Sequence, residues 1–150
     1  VGSEMCIRDR GCTSFYMDAG FDPLYPFGYG LSYTMFKYDN VKLSSANLKK
    51  EDVLTVTFDL ENTGKYEGTE VAQLYVQDKF ASVTRPVKEL KGFRKVELAP
   101  GEEQEVTFYI TEEDLRYYRL DGTFGSEPGT FTVMIGNSST TENSAVFTLK

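Results

Sequence analysis

Alternation of apolar and polar residues is the feature that most constrains the fold of this 150-residue chain. Between Leu54 and Leu60, four apolar side chains alternate with threonine and aspartate. A period of two residues is typical of a strand that buries one face. The triplet Asn62-Thr63-Gly64 follows, and these residue types favour a turn that ends the strand.

The same alternation recurs between turn signals along most of the chain. In Ala72–Val76 the apolar residues alternate with Gln73 and Tyr75, and Pro100-Gly101 separates two further apolar-periodic segments. About seven such strands at regular spacing predict an all-β, immunoglobulin-like antiparallel sandwich of two sheets. The predicted core consists of Leu54, Val56, Phe58, Leu60, Leu74, Val76, Val96, Val106, Phe108, Phe131, Val133, Ile135 and Phe147.

Two local features refine this prediction. The alternation in the first strand, Phe36–Ser44, changes phase between Tyr38 and Val41, which predicts a β-bulge. Thr111 precedes three acidic residues and Leu115. Threonine is a favoured N-cap and acids are favoured in a first turn, so a single helical turn is expected there. The acids Glu112–Asp114 are interpreted as a solvated helix cap.

Composition excludes several functions. The net charge of −7 argues against a nucleic-acid partner, which requires clustered Lys and Arg. No apolar run approaches the roughly 20 residues that span a bilayer, so no membrane partner is expected. The chain has no histidine, which removes Ser-His-Asp catalysis and the commonest zinc ligand. Cys6 and Cys12 lack the spacing of a zinc or redox site. No metal or cofactor is expected.

The segment PLYPFGYGLSYTMF, residues 23–36, is uncharged and carries five aromatic residues, two prolines and two glycines. Concentrated aromatic residues are usually buried, so packing at a seam or in a core is the preferred interpretation. Gly28 and Gly30 would permit close approach of the backbone. A platform on which sugar rings stack is the alternative.

The segment PLYPFGYGLSYTMFKY resembles the connection between the catalytic part of family 3 glycoside hydrolases and their C-terminal fibronectin type III-like domain. Four further runs resemble that domain in the same order: ENTGKYEGTEVAQLYVQD, ASVTRPVKELKGFRKVELAPGEEQEVTF, DLRYY and EPGTFTVMIGNSS. The resemblance extends from about Thr13 to Lys150.

This resemblance implies a division of the chain into three parts. Residues 1–12 are expected to be a foreign or disordered terminus, because VGSEMCIRDR resembles translated sequencing-adaptor DNA. Residues 13–35 would be an inter-domain connecting arm, and residues 36–150 the fibronectin type III-like domain. Because the chain begins with Val1 rather than methionine, it is expected to be a processed protein or a piece of one.

The resemblance also implies what the chain does not do. Enzymes of this family are retaining β-glucosidases and β-xylosidases with an Asp nucleophile and a Glu acid/base, both upstream of the PFGYGLSY segment. No catalytic residue is therefore carried over to this sequence. The expected role is a non-catalytic domain that packs against and stabilises the catalytic domains. A periplasmic or secreted location is implied.

The arm carries the expected contact residues. The expected domain-interface residues are Tyr25, Phe27, Gly28, Tyr29, Gly30 and Tyr33. Residues near the rim of the substrate cleft would be Tyr16, Asp18 and Phe21. Without a partner, the arm is expected to be irregular, loosely held and a cause of self-association, with burial recovering near Tyr33 to Phe36. The alternative function is an independent immunoglobulin-like carbohydrate-binding or adhesion module.

Overall fold

The computed structural model describes residues 23–150, in which β-strands dominate and the single helix is one 3₁₀ turn, Glu112–Leu115. The strands are β1 (Phe36–Leu43), β2 (Asn47–Leu48), β3 (Leu54–Asn62), β4 (Gly68–Asp78), β5 (Glu89–Leu98), β6 (Glu103–Ile110), β7 (Tyr117–Tyr118), β8 (Phe124–Gly125), β9 (Gly129–Gly136) and β10 (Ser144–Leu149). No helix in this part of the chain has the length and apolar character required to cross a membrane.

Two antiparallel sheets form the sandwich that the alternation predicts. One sheet has the order β1-β3-β6, and the other has the order β2-β10-β9-β4-β5. Two details depart from the prediction. The short strands β7 and β8 form a separate hairpin, and β2 pairs with β10 in parallel, with Asn47 opposite Thr148.

The core lies between the two sheets. Every predicted core residue is buried except Phe108, which is half-buried and stacks on Phe58 with ring centroids 6.0 Å apart. Burial along β3 alternates without interruption from Leu54 to Asn62, which explains why its pattern is so clear in the sequence. The buried cluster also includes Leu48, Ala72, Leu98, Ile110, Leu115 and Leu149.

The predicted bulge in β1 is confirmed. The pairing of β1 with β3 shifts register between Asp39 and Lys42. Asn40 has a φ of +54°, a conformation that asparagine tolerates better than most residues. Its amide nitrogen donates a hydrogen bond to Asp59 at 2.7 Å, which fixes the bulged residue to the neighbouring strand.

The predicted helical turn is also confirmed, but its acids are not uniformly solvated. The Thr111 amide donates a hydrogen bond to the Asp114 carboxylate at 2.7 Å, as in a capping box. Glu112, in contrast, is buried. Its carboxylate accepts hydrogen bonds from Arg116 and Ser126, and the pKa of Glu112 is lowered mainly by Arg116. Glu112 therefore fastens the turn to the chain that follows β8.

Candidate domain interface

The described part of the arm, residues 23–35, contains no strand or helix, as expected. It is ordered by a tight turn in which the Tyr29 amide donates to the Pro26 carbonyl at 3.1 Å. Gly28, the third residue of this turn, has a φ of +79°. A type II turn requires a positive φ at that position, which favours glycine.

The turn is fastened to the sandwich by hydrogen bonds to its backbone. The Phe27 carbonyl accepts from the Ser139 amide at 2.8 Å, and the Gly28 carbonyl accepts from the Gln73 side chain at 3.0 Å. The Phe27 ring meets the Tyr75 ring edge-on, with centroids 6.5 Å apart. The expectation that the arm is loosely held is therefore wrong at this turn.

The arm buries two residues of β4 that the alternation assigns to the face opposite the core. Gln73 and Tyr75 do lie on that face, but their side chains are only 6% and 1% exposed. The Tyr75 hydroxyl donates to Gln73 at 2.5 Å, and burial raises the pKa of Tyr75. Gln73 also donates to the Asn137 carbonyl at 2.7 Å. The outer face of β4 is thus a second, smaller packing surface.

A second anchor joins the end of the arm to the turn after β3. The Thr34 hydroxyl donates to the Asn62 side-chain oxygen at 2.6 Å, and the Met35 carbonyl accepts from the Thr63 amide at 2.9 Å. Asn62 is fully buried, and its amide nitrogen donates to the carbonyls of Tyr66 and Leu98 at 2.8 and 2.9 Å. The sequence identifies Asn62 as a turn residue but not as this junction.

Around these anchors, apolar side chains of the arm face solvent. Tyr25 and Phe27 are each 66% exposed, and Tyr29 is 48% exposed. Tyr33 is 99% exposed, Thr34 is buried and Phe36 is half-buried, so burial recovers within the expected stretch from Tyr33 to Phe36 but not at Tyr33 itself. Further exposed apolar residues of the arm are Leu24, Leu31 and Met35. The expected cleft-rim residues, Tyr16, Asp18 and Phe21, lie outside the described residues.

The two expected interface glycines differ in what surrounds them. A Cβ atom at Gly28 would lie 2.0 Å from the Gln73 side-chain oxygen, whereas nothing lies within 4 Å of a Cβ at Gly30. Close approach therefore explains Gly28, and no contact among residues 23–150 explains Gly30.

We expect the substitution Gly28→Ala to release the arm. A positive φ costs a non-glycine residue about 1–3 kcal/mol, and the added methyl group would displace Gln73. Chymotrypsin should then cleave between Tyr25 and Tyr33 about tenfold faster. Gly30→Ala is the matched control and should leave the cleavage rate unchanged. Gly101 has a φ of +75° in open space, in the turn between β5 and β6, so Gly101→Ala controls for a general effect of backbone strain on the chain. Equal rates for all three variants would contradict this account.

Grooves lie on both sides of the arm. One, of about 490 Å³, is lined by Phe27, Tyr75, Val87, Lys88, Leu90 and Ser139. The Lys88 ammonium group donates to the Ser139 carbonyl at 2.6 Å. The other groove, of about 410 Å³, separates the arm from the beginning of β4. Phe27 lines the first groove, and Gly28 and Gly30 line the second, so the turn of the arm borders both grooves.

Comparison with known proteins identifies the domain. The fibronectin type III-like domain family matches residues 70–139. The periplasmic β-glucosidase of Salmonella typhimurium is 48% identical over 124 residues, which is 83% of this chain and 16% of that protein. A putative β-xylosidase of Formosa agariphila is 45% identical over 90% of this chain and 18% of its own length. The chain belongs to the fibronectin type III-like domains of family 3 glycoside hydrolases.

Solved structures agree with this assignment. A β-glucosidase from Listeria innocua in complex with glucose superposes on this chain with a TM-score of 0.81 and 40% identity, over 92% of this chain and 19% of that one. A β-glucosidase from Erythrobacter marinus gives a TM-score of 0.83 at 42% identity, over 90% and 18% of the two chains. This chain therefore spans less than a fifth of the enzymes it matches.

Proposed function

We propose that this fibronectin type III-like domain is a non-catalytic part of a β-glucosidase- or β-xylosidase-like hydrolase, and that its arm surface packs against the catalytic domains. One observation carries the proposal: hydrogen bonds fix the arm backbone to the sandwich, while its aromatic side chains remain in solvent. A loop that packed for its own stability would bury those rings, since each buried large apolar side chain contributes about 1.5–3 kcal/mol.

The arrangement suits a partner of fixed shape. The backbone anchor at Phe27 and the side-chain anchor at Thr34 order the arm before any partner arrives, so less entropy is lost on binding. Large exposed apolar patches mark interaction sites in soluble proteins. In this proposal, residues 13–35 connect the catalytic domains to the sandwich of residues 36–150. Tyr16, Asp18 and Phe21 remain predicted contributors to the cleft rim.

The alternative, an independent carbohydrate-binding module, requires aromatic rings that form a flat row. The rings of Tyr25 and Tyr29 are inclined by 32° with centroids 5.3 Å apart. Those of Tyr118 and Phe124, on the β7–β8 hairpin, are inclined by 53°. Neither pair forms a flat platform on a sheet face, so the geometry favours the domain interface.

We expect the purified chain to hydrolyse no glycoside. A retaining glycosidase needs two carboxylates about 5–5.5 Å apart, one acting as nucleophile, and the resemblance assigns both to other domains. The assay uses aryl β-glucosides and aryl β-xylosides, with release of the aryl alcohol followed against buffer. Turnover that disappears when a carboxylate of this chain is replaced by its amide would contradict the non-catalytic role.

A further inference from the structure

The groove between the arm and the beginning of β4 exists because β4 extends beyond its neighbour. Pairing of β4 with β9 starts at Gln73, opposite Gly136. The preceding residues of β4 pair only with β5 on the other side. Their open flank faces the arm across a groove of about 410 Å³, which we call the Glu70 groove because Glu70 lies on that flank.

Within residues 23–150, Glu70 is a buried carboxylate without an ionic partner. It lies in phase with Ala72 and Leu74 on the inward face of β4, and it is 9% exposed. No salt bridge among residues 23–150 includes it. Burial raises the pKa of Glu70 above its usual range. Hydrogen bonding by the Tyr38 hydroxyl and the Val71 amide lowers this pKa by a smaller amount.

In the part of the chain that the structure describes, the titratable group that faces Glu70 is the phenol of Tyr38, on β1 of the opposite sheet. Its hydroxyl is buried. Burial raises the pKa of Tyr38, and the Glu70 carboxylate raises it further, so this phenol stays neutral at ordinary pH. Tyr38 therefore supplies no charge that would compensate an ionised Glu70.

The rest of the groove also lacks a positive charge. Apart from Glu70, the described residues that line the groove are all uncharged. An isolated buried charge costs several kcal/mol, and a partner charge with good geometry offsets that cost. Charge complementarity therefore indicates a cationic occupant.

We propose that the Glu70 groove receives an arginine side chain of the catalytic domains, whose guanidinium group pairs with Glu70. This inference rests on the proposed function and names the chemistry of one contact within that interface. A guanidinium group suits this position better than an ammonium group because it is weakly hydrated, planar and able to stack on aromatic rings. Phe36 lines the groove and offers such a ring.

The test uses N-ethylguanidinium as a probe for the arginine side chain and the purified full chain at pH 8. The ¹³C resonance of the Glu70 side-chain carboxyl group reports binding. We expect a saturable shift with N-ethylguanidinium, and at least tenfold weaker binding of its neutral analogue N-ethylurea and of methyl β-glucoside. In the Glu70→Gln variant the Val71 amide resonance reports binding, and saturable guanidinium binding should be abolished. The matched control Glu97→Gln, at an exposed position of β5, should retain it.

Three outcomes would overturn the proposal: no saturable shift, undiminished binding to Glu70→Gln, or equal binding of the urea or the glucoside. An equal response to the glucoside would mean that the groove is a sugar site. Because the titration needs only this chain, its result is independent of whether the arm packs against catalytic domains. Failure of the guanidinium titration would thus refute the arginine contact but not the proposal that the arm packs against catalytic domains, which is tested separately.

Discussion

Replacing Asn62 with alanine is expected to lower the free energy of unfolding by about 3–5 kcal/mol, because each buried polar group left unsatisfied costs about 1–3 kcal/mol. The Asn62 side chain donates to the carbonyls of Tyr66 and Leu98 and accepts from Thr34 and from the Gly64 amide. All these bonds are lost together. The loss is a large part of the 5–15 kcal/mol that stabilises a typical domain.

Urea unfolding followed by circular dichroism measures this effect. Asn143→Ala is the matched control, since Asn143 is exposed, and it should change the free energy of unfolding by less than about 0.5 kcal/mol. Release of Thr34 should also make the arm of the Asn62→Ala variant more sensitive to chymotrypsin. A loss below about 1 kcal/mol would show that Asn62 is not the junction described here.

Substitution of the exposed arm tyrosines should convert a self-associating chain into a monomer. Tyr25, Tyr29 and Tyr33 present apolar surface without cover, and uncovered patches beyond a few hundred Å² promote association. We expect the triple substitution Tyr25→Ser, Tyr29→Ser and Tyr33→Ser to weaken association at least tenfold. Light scattering over a range of protein concentrations measures it.

The control for this variant removes aromatic residues of similar exposure elsewhere. Tyr66, Phe93 and Tyr109 are 64–68% exposed, and each lies outside the arm. Their triple replacement by serine should leave association unchanged. A natural chain that stays strictly monomeric at high concentration would refute the expected self-association, and an equal effect of the two triple variants would show that the arm is not its source.

Most of the sandwich could be predicted from the sequence because its strands bury one face. In β3 the period of two reports burial directly, and the change of phase in β1 reports the bulge at Asn40. These features depend on neighbours within a few residues. The single helical turn after Thr111 was predictable for the same reason, since its capping group is local.

The interface could be predicted only as a segment, because its geometry depends on residues far apart in the sequence. Gln73 and Tyr75 are buried by an arm about 45 residues earlier, a distance that alternation within β4 cannot report. Burial of Glu112 likewise depends on Ser126. The sequence does contain a signal for Glu70, because this acidic residue occupies an inward position in phase with Ala72, where an apolar residue is expected.

A hybrid enzyme tests the central claim, that the arm surface packs against catalytic domains. In the periplasmic β-glucosidase of Salmonella typhimurium, residues 23–150 of this chain replace the matching region, and the melting temperature of the hybrid is measured. The triple substitution Tyr25→Ser, Tyr29→Ser and Tyr33→Ser should lower the melting temperature of the hybrid by about 5 °C or more, because contacts with the catalytic domains worth several kcal/mol are removed. The control triple at Tyr66, Phe93 and Tyr109 should not lower it.

The same arm substitutions in the isolated chain complete this measurement. Since Tyr25 and Tyr33 are mostly exposed and Tyr29 is about half exposed, the free energy of unfolding of the isolated chain should change by less than about 1 kcal/mol. A fall in the stability of the hybrid alone is the predicted result. Equal melting temperatures of the hybrid with and without the arm tyrosines, or an equal loss of stability in the isolated chain, would contradict the claim.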